Sequence, residues 1–302
     1  MKPDNNSLVY VVDPKDNYVY LREVLTNRWQ LSRSLQVRLK AQNKIKVNGQ
    51  VTRTNYRLQP GDIVTVGIDL EETSDITPLY APLDIIYEDP DCLVVNKPPG
   101  MAVHSPRGGP EITLANAVTY YWVRQGKTLL FRPVNRLDKD TSGLVLIGKS
   151  QFAHQAMYRQ QKAGTITRRY LAVVEGIVVP DRGSIDLPIA HLDPDLRSRT
   201  VHPTGKRAVT HFNVIERFNG FTLLSLTLGT GRTHQIRVHL SHLGHPIHGD
   251  TLYGHPSPYI SRQALHAGEL CFHQPRSGEP IHLTVPLPDD MAELVENLKA
   301  GN

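Results

Sequence analysis

Two carboxylates two residues apart, Asp138 and Asp140, lie in the stretch Val134-Asn135-Arg136-Leu137-Asp138-Lys139-Asp140-Thr141-Ser142-Gly143. A carboxylate on a loop can exchange a proton or act as a nucleophile. Arg136, two residues before Asp138, carries a planar guanidinium that suits a carboxylate or a phosphate. The chain then drops into Leu144-Val145-Leu146-Ile147. A short apolar run bounded by turn residues reads as a buried strand. Asp138 is therefore expected on the loop feeding a core strand, near the interior but open to a cleft. Asp, Thr, Ser and Gly also make ordinary turns, so the local sequence leaves chemistry and plain structure evenly matched.

Residues 143–150 spell G-x-x-x-x-G-K-S, the letters of a phosphate loop. In such a loop the intervening residues form a turn whose N–H groups wrap phosphates after the strand has ended. Here they are the strand, which excludes an NTPase reading.

A chain of 302 residues can hold one large domain or two with real cores. Its net charge of +5 is only mildly basic. Cys92 and Cys271 are far apart and form no ligand-spaced cluster, which argues against a disulfide scaffold and fits a reducing compartment. The first residues lack the apolar core of a signal peptide, and no run approaches a membrane span. A cytoplasmic protein is expected. No internal repeat or low-complexity tract is present.

The positioning elements follow from pattern. Residues 8–20 alternate as a hairpin with its turn over 14–17. Ser32 is an expected N-cap, with Leu35 and Leu39 on one helix face. Lys44-Ile45-Lys46-Val47 alternates into Asn48-Gly49, a strong hairpin signal, and residues 63–66 form another strand. Over 20–66, nine basic residues face only Glu23 and Asp62, a net +7. That is a footprint for a phosphate backbone. Acidic residues and prolines over 67–82 read as a linker. Residues 93–96 form a strand, followed by the rigid Lys97-Pro98-Pro99-Gly100 loop and His104, which could touch a substrate. Residues 151–161 read as a helix and 168–174 as a strand. In that strand Tyr170 is either core filler or a stacking platform. The proline-rich basic segment 180–206 reads as a long mobile excursion. Strands over 208–218 and 221–228 join through Asn219-Gly220. After Gly229-Thr230-Gly231 a helix begins near Thr233, with Arg237 about one turn in. His234, His239, His242, His245, His248 and Asp250 invite a zinc-hydrolase reading. No H-E-x-x-H helix supports it, and Gly244 and Pro246 scatter the histidines. A last strand over 281–287 precedes a helix capped by Asp289 or Asp290.

Residues 20–66 also resemble the small RNA-binding module first seen in ribosomal small-subunit protein S-four. Leu31-Ser32-Arg33-Ser34, Lys46-Val47-Asn48-Gly49 and Leu58-Gln59-Pro60-Gly61-Asp62 carry the likeness. The larger region resembles the RluA/RluD-type RNA pseudouridine synthases. The segments that carry this are Asn96-Lys97-Pro98-Pro99-Gly100 with His104, the stretch from Asn135 to Gly143, Arg169-Tyr170, and residues 229–254. Leu265-His266-Ala267 with Leu270-Cys271-Phe272-His273 adds weaker support. The family usually has His where this chain has Asn135, which implies altered loop packing with activity kept. Gln274 precedes Pro275 where many relatives have His; that difference carries little weight.

The resemblance implies an α+β fold, with a large mixed, mostly antiparallel sheet, flanking helices and a small N-terminal α/β RNA-binding domain. The expected division is 1–70 for RNA binding (core 20–66), 71–82 as linker and 83–302 as catalytic domain. It implies an isomerase that detaches uracil from ribose, turns it and rejoins it through carbon 5, in structured RNA such as ribosomal RNA. No cofactor, metal or nucleotide is implied, and a monomer is the default. Asp138 is the implied catalytic carboxylate, as nucleophile or as proton acceptor. Arg237 would keep it ionised. Tyr170 would stack on the uracil and could move a proton. Arg136 would fill the space left by the flipped uridine, and Ile236 would wall the pocket. A non-catalytic RNA-binding assembly factor using the same basic surfaces is the alternative, and Asp138→Asn separates the two.

Overall fold

The computed structural model describes residues 6–104, 111–193 and 198–301. A four-stranded sheet has the order β1-β4-β2-β3, from β1 (Ser7–Val11), β2 (Ile45–Val47), β3 (Gln50–Val51) and β4 (Ile63–Gly67). A short helix α1 (Leu21–Glu23) runs into a π-helical turn, Val24–Arg28, and α2 (Arg33–Ala41) follows. The Ser32 hydroxyl accepts from the Leu35 N–H, as an N-cap should. Leu35 and Leu39 are buried with Ile45, Val47, Val64 and Val66 in a core of their own. Asn48 and Gly49 both adopt positive φ, which closes the β2–β3 hairpin. The hairpin expected over 8–20 does not form. β1 pairs with β4, and Tyr20 instead bridges Arg57. The long-range partner supplies a full register of five pairs that the local turn could not match.

The second sheet is built from β5 (Asp84–Glu88), β6 (Cys92–Lys97), β7 (Arg132–Pro133), β8 (Ser142–Gly148), β9 (Thr167–Glu175), β10 (Arg182–Asp186), β13 (Val209–Phe218), β14 (Phe221–Leu228), β15 (Leu265–His273) and β16 (Pro280–Thr284). Its order is β10-β13-β14-β9-β15-β8-β6-β5, with β16 beside β15 and β7 beside β8. β15 and β8 run parallel and the other pairs antiparallel, so the sheet is mixed and mostly antiparallel, as expected. Helices α3 (Leu114–Arg124), α4 (Gln151–Ala163), α5 (Gln235–His242) and α6 (Asp289–Ala300) accompany it. β8 is buried along its whole length because both faces are covered. Val145 and Ile147 pack with Trp122 and Leu294, while Leu144 and Leu146 pack with Met157 and Phe272. Each such leucine stabilises the fold by about 1.5–3 kcal/mol.

Two further expectations are corrected. The segment 180–206 is not one long excursion. It contributes β10 to the sheet edge, then a small hairpin of β11 (Ile189–Ala190) and β12 (Thr200–Val201). Pro194 and Arg197 lie outside the described residues. Neither Asp289 nor Asp290 caps α6. Pro288 occupies the N-cap, and Asp290 is drawn away by Arg262 at 2.7 Å.

Residues 71–82 carry no helix or strand, yet Glu72 is held by both Arg38 and Arg132. Phe152 of α4 inserts into the N-terminal core. Gln155 of the same helix donates to the Ser32 hydroxyl at 2.7 Å. Among the described residues no helix is long and apolar enough to cross a membrane.

Candidate active site

Asp138 belongs to a loop that is tied down from three sides. Lys97, at the end of β6, is fully buried, and its ammonium donates to the carbonyls of Pro98, Met101 and Lys139 at 2.8–2.9 Å. Burial pushes this lysine down to about 7, against the pull of Asp140. Arg262 donates to the Asp140 carbonyl, and Gln263 donates to the Thr141 hydroxyl at 3.1 Å. Asn135 is buried; its side chain donates to the Leu144 carbonyl and accepts from the Leu146 N–H. It thereby knits the approach to the loop onto β8. At the loop's exit Gly143 has φ +116°, and a Cβ there would lie 2.3 Å from the Ala267 carbonyl oxygen. Only glycine permits β8 to approach β15 so closely. Leu144, Val145, Leu146 and Ile147 then run inside β8, which is why the phosphate-loop letters have no phosphate-loop shape.

The opposite wall comes from α5, which starts two residues later than expected, after His234 in the left-handed conformation at φ 57°. Gln235 fixes this start. Its side-chain oxygen accepts from the Arg232 N–H and the Thr230 hydroxyl, and its amide donates to the Val209 carbonyl and Thr210. Two residues on, Arg237 donates to Asp138 at 2.9 Å and, through two nitrogens, to Asp250 at 2.7 and 2.8 Å. The Asp250 side chain is fully buried and Arg237 nearly so, while Asp138 keeps 24% exposure. The charge is thus anchored at the inner end and open to the cleft at the outer end. Burial works against the Arg237 charge, but Asp250 and then Asp138 more than offset it and raise its proton affinity. His234 stands 3.9 Å from Asp138, and burial lowers its pKa.

Arg136, Asp138, Tyr170, Ile236 and Arg237 all line one cleft of about 940 Å³. Tyr170 and Ile236 are buried in its wall, and Arg136 is exposed at its rim. Burial, more than the neighbouring charges, raises the Tyr170 hydroxyl's pKa. His104 also lines the cleft. The histidines that suggested a metal are dispersed. His239 is bonded to Thr210 and the Leu187 carbonyl, His245 to the Glu175 carbonyl, and His234 to Tyr253. Sequence reading missed Gln235 and the Asp250 clamp. The sequence offers Asp250 only as a metal donor, because nothing in a linear pattern pairs it with an arginine thirteen residues earlier.

The profile of the RNA pseudouridylate synthase family matches residues 91–242, and that of the RluD ribosomal pseudouridine synthase N-terminal domain matches residues 10–64. An RNA pseudouridine synthase of Bacillus subtilis, YlyB, itself uncharacterised, is 48% identical over 261 residues, covering 85% of this chain and 86% of the relative. The ribosomal large subunit pseudouridine synthase D of Yersinia pestis is 39% identical over 273 residues, covering 85% and 84%. Among solved structures, human RNA pseudouridylate synthase domain containing 1 superposes with a TM-score of 0.56 at 27% identity, over 76% of this chain and 98% of that one. With both walls of the cleft inside the matched region, the chain belongs to the RNA pseudouridylate synthase family.

Proposed function

We propose that this chain isomerises uridines of large-subunit ribosomal RNA to pseudouridine, with Asp138 as the catalytic carboxylate. The observation that supports this reading is the Asp250–Arg237–Asp138 chain, which presents one arginine-paired carboxylate to a cleft that also holds Tyr170. The choice of RNA rests on the relatives named for the ribosomal large subunit. The protein acts as a cytoplasmic monomer, and the basic unit around residues 20–66, like the S-four module, grips the RNA.

The reaction breaks the bond from ribose C1′ to uracil N1, forms one from C1′ to C5, and moves the C5 proton to N1. Nothing is oxidised and no phosphate is consumed. Cleaving a glycosidic bond builds positive charge on the sugar, which a carboxylate can neutralise by attack or by taking a sugar proton. Arg237 pairs with Asp138 and aims it. Tyr170 stacks on the uracil and assists proton movement, Ile236 walls the base, and Arg136 fills the gap left in the RNA stack.

Pseudouridine mapping of large-subunit RNA from cells with and without this protein tests the reading. At least one position is expected to revert to uridine on deletion. It should return with the wild-type gene and not with Asp138→Asn. An unchanged map, with no product from the purified protein, overturns the reading.

A further inference from the structure

Five lysines and arginines are buried among the described residues: Lys97, Lys149, Arg168, Arg237 and Arg262. Four are neutralised or fully hydrogen-bonded. Arg237 has Asp138 and Asp250, and Arg262 has Asp290. Lys149 has Glu88, and Lys97 has three carbonyls. Arg168 has neither. It is 8% exposed, its Nε is buried with no hydrogen-bond partner, and no described carboxylate pairs with it. A guanidinium this deeply buried without a counter-ion is unfavourable, and of its nitrogens only Nε is sealed off, so the terminal pair is left to meet an anion in the cleft.

The guanidinium points into the reaction cleft. Arg168 sits two residues before Tyr170 on β9, and both are buried while Arg169 between them is exposed. Alternation along a strand puts the first and third on one face, and both line the cleft with Asp138. Across from it runs the glycine turn that leads into α5. A Cβ on Gly231 would lie 3.6 and 3.8 Å from the two terminal nitrogens of Arg168, so the missing side chain leaves the guanidinium open on that side.

We propose that Arg168 binds a backbone phosphate of the RNA, one of the two flanking the flipped uridine. This rests on the proposed uridine isomerisation and adds a ligand for a residue that chemistry did not use. A nucleotide extruded from a helix turns about its backbone and brings its own phosphates to the cleft mouth. A phosphate neutralises the buried charge and can accept two parallel N–H bonds from the fork. A uracil carbonyl would leave the charge unmatched. Arg168 then fixes the sugar over Asp138 by holding its phosphate.

The test uses the full chain and unmodified large-subunit ribosomal RNA from cells lacking the protein. Arg168→Gln and Arg168→Lys are compared with wild type in turnover and in RNA affinity across a KCl series. Arg168→Gln is expected to lower kcat/KM at least about tenfold, mostly through KM, and to flatten the plot of log affinity against log salt by about 0.7–0.9. Arg168→Lys is expected to recover the salt slope and part of the affinity, since it restores the charge without the fork. Equal KM and equal slope in Arg168→Gln overturn the proposal, as does a loss of affinity with no change of slope. The thermal midpoint of Arg168→Gln should not fall, and a fall with unchanged KM marks a structural role. If wild type yields no pseudouridine, the isomerase reading fails by itself, and the affinity series still decides Arg168.

Discussion

Arg237 and Arg168 line the same cleft and are buried to nearly the same degree, 7% and 8% exposed. Arg237 lies between two carboxylates, one sealed in the core and one facing the cleft. Arg168 has no carboxylate paired with it among the described residues, and its Nε has no hydrogen-bond partner. Burial alone therefore does not say what a cation does; the company it keeps does. A cation with its counter-ions in place holds a reactive group in geometry and charge before substrate arrives. A cation without one has its terminal nitrogens free for a ligand that brings the missing charge.

Breaking the matched side should have the larger consequence. Arg237→Met strands Asp138 and the fully buried Asp250 as unpaired carboxylates. Turnover should fall by about 10³-fold or more, and urea unfolding should show a loss of about 3–5 kcal/mol. A variant with normal turnover would separate Arg237 from the chemistry. Asp250→Asn makes a milder break, because it removes one counter-ion and moves Arg237 toward the condition of Arg168. Stability should drop by about 3 kcal/mol. The kcat value should fall more than KM rises, since the effect reaches substrate only through the aim of Arg237 and Asp138.

A third break concerns the strand beneath Asp138. His266 is buried and bonded to the Ser142 hydroxyl at 2.9 Å, and burial pushes it down to about 4. Its folded pKa lies below the unfolded value, so the unfolded chain binds the extra proton first. The stabilisation is complete above about pH 6.5 and is lost as pH falls to about 4. It amounts to about 3 kcal/mol across that window. Urea midpoints at pH 7 and 4.5 should differ for wild type and differ less for His266→Gln. The smallest effects belong to the exposed cations of the N-terminal unit. Lys46→Gln or Arg53→Gln should each weaken RNA binding only about two- to fivefold at moderate salt, well short of the effect at Arg168.

Much of this was legible in the sequence for physical reasons. The β8 run fitted a buried strand best, being short, β-branched and leucine-rich and bounded by turn residues, and the strand that formed feeds from the Asp138 loop. Asn48-Gly49 and Asn219-Gly220 named their hairpins because few residues accept positive φ, and Ser32 named its helix start. Residues 8–20 failed because β1 finds its partner at residues 63–67, a pairing invisible to local alternation. Asp250, Gln235 and Lys97 escaped for a related reason. Each works through a contact made only when separate segments fold together, and none has a spacing that announces its partner. In the sequence Arg168 is only the first residue of an expected strand, since burial without a counter-ion is a property of the folded chain.

The most direct measurement is single-turnover pseudouridine formation by purified Asp138→Asn on unmodified large-subunit RNA, beside the affinity of the same protein for the same RNA. Loss of product to the background rate with affinity kept within a few fold is the expected result. Product formed at a wild-type rate would contradict the assignment of the chemistry to Asp138.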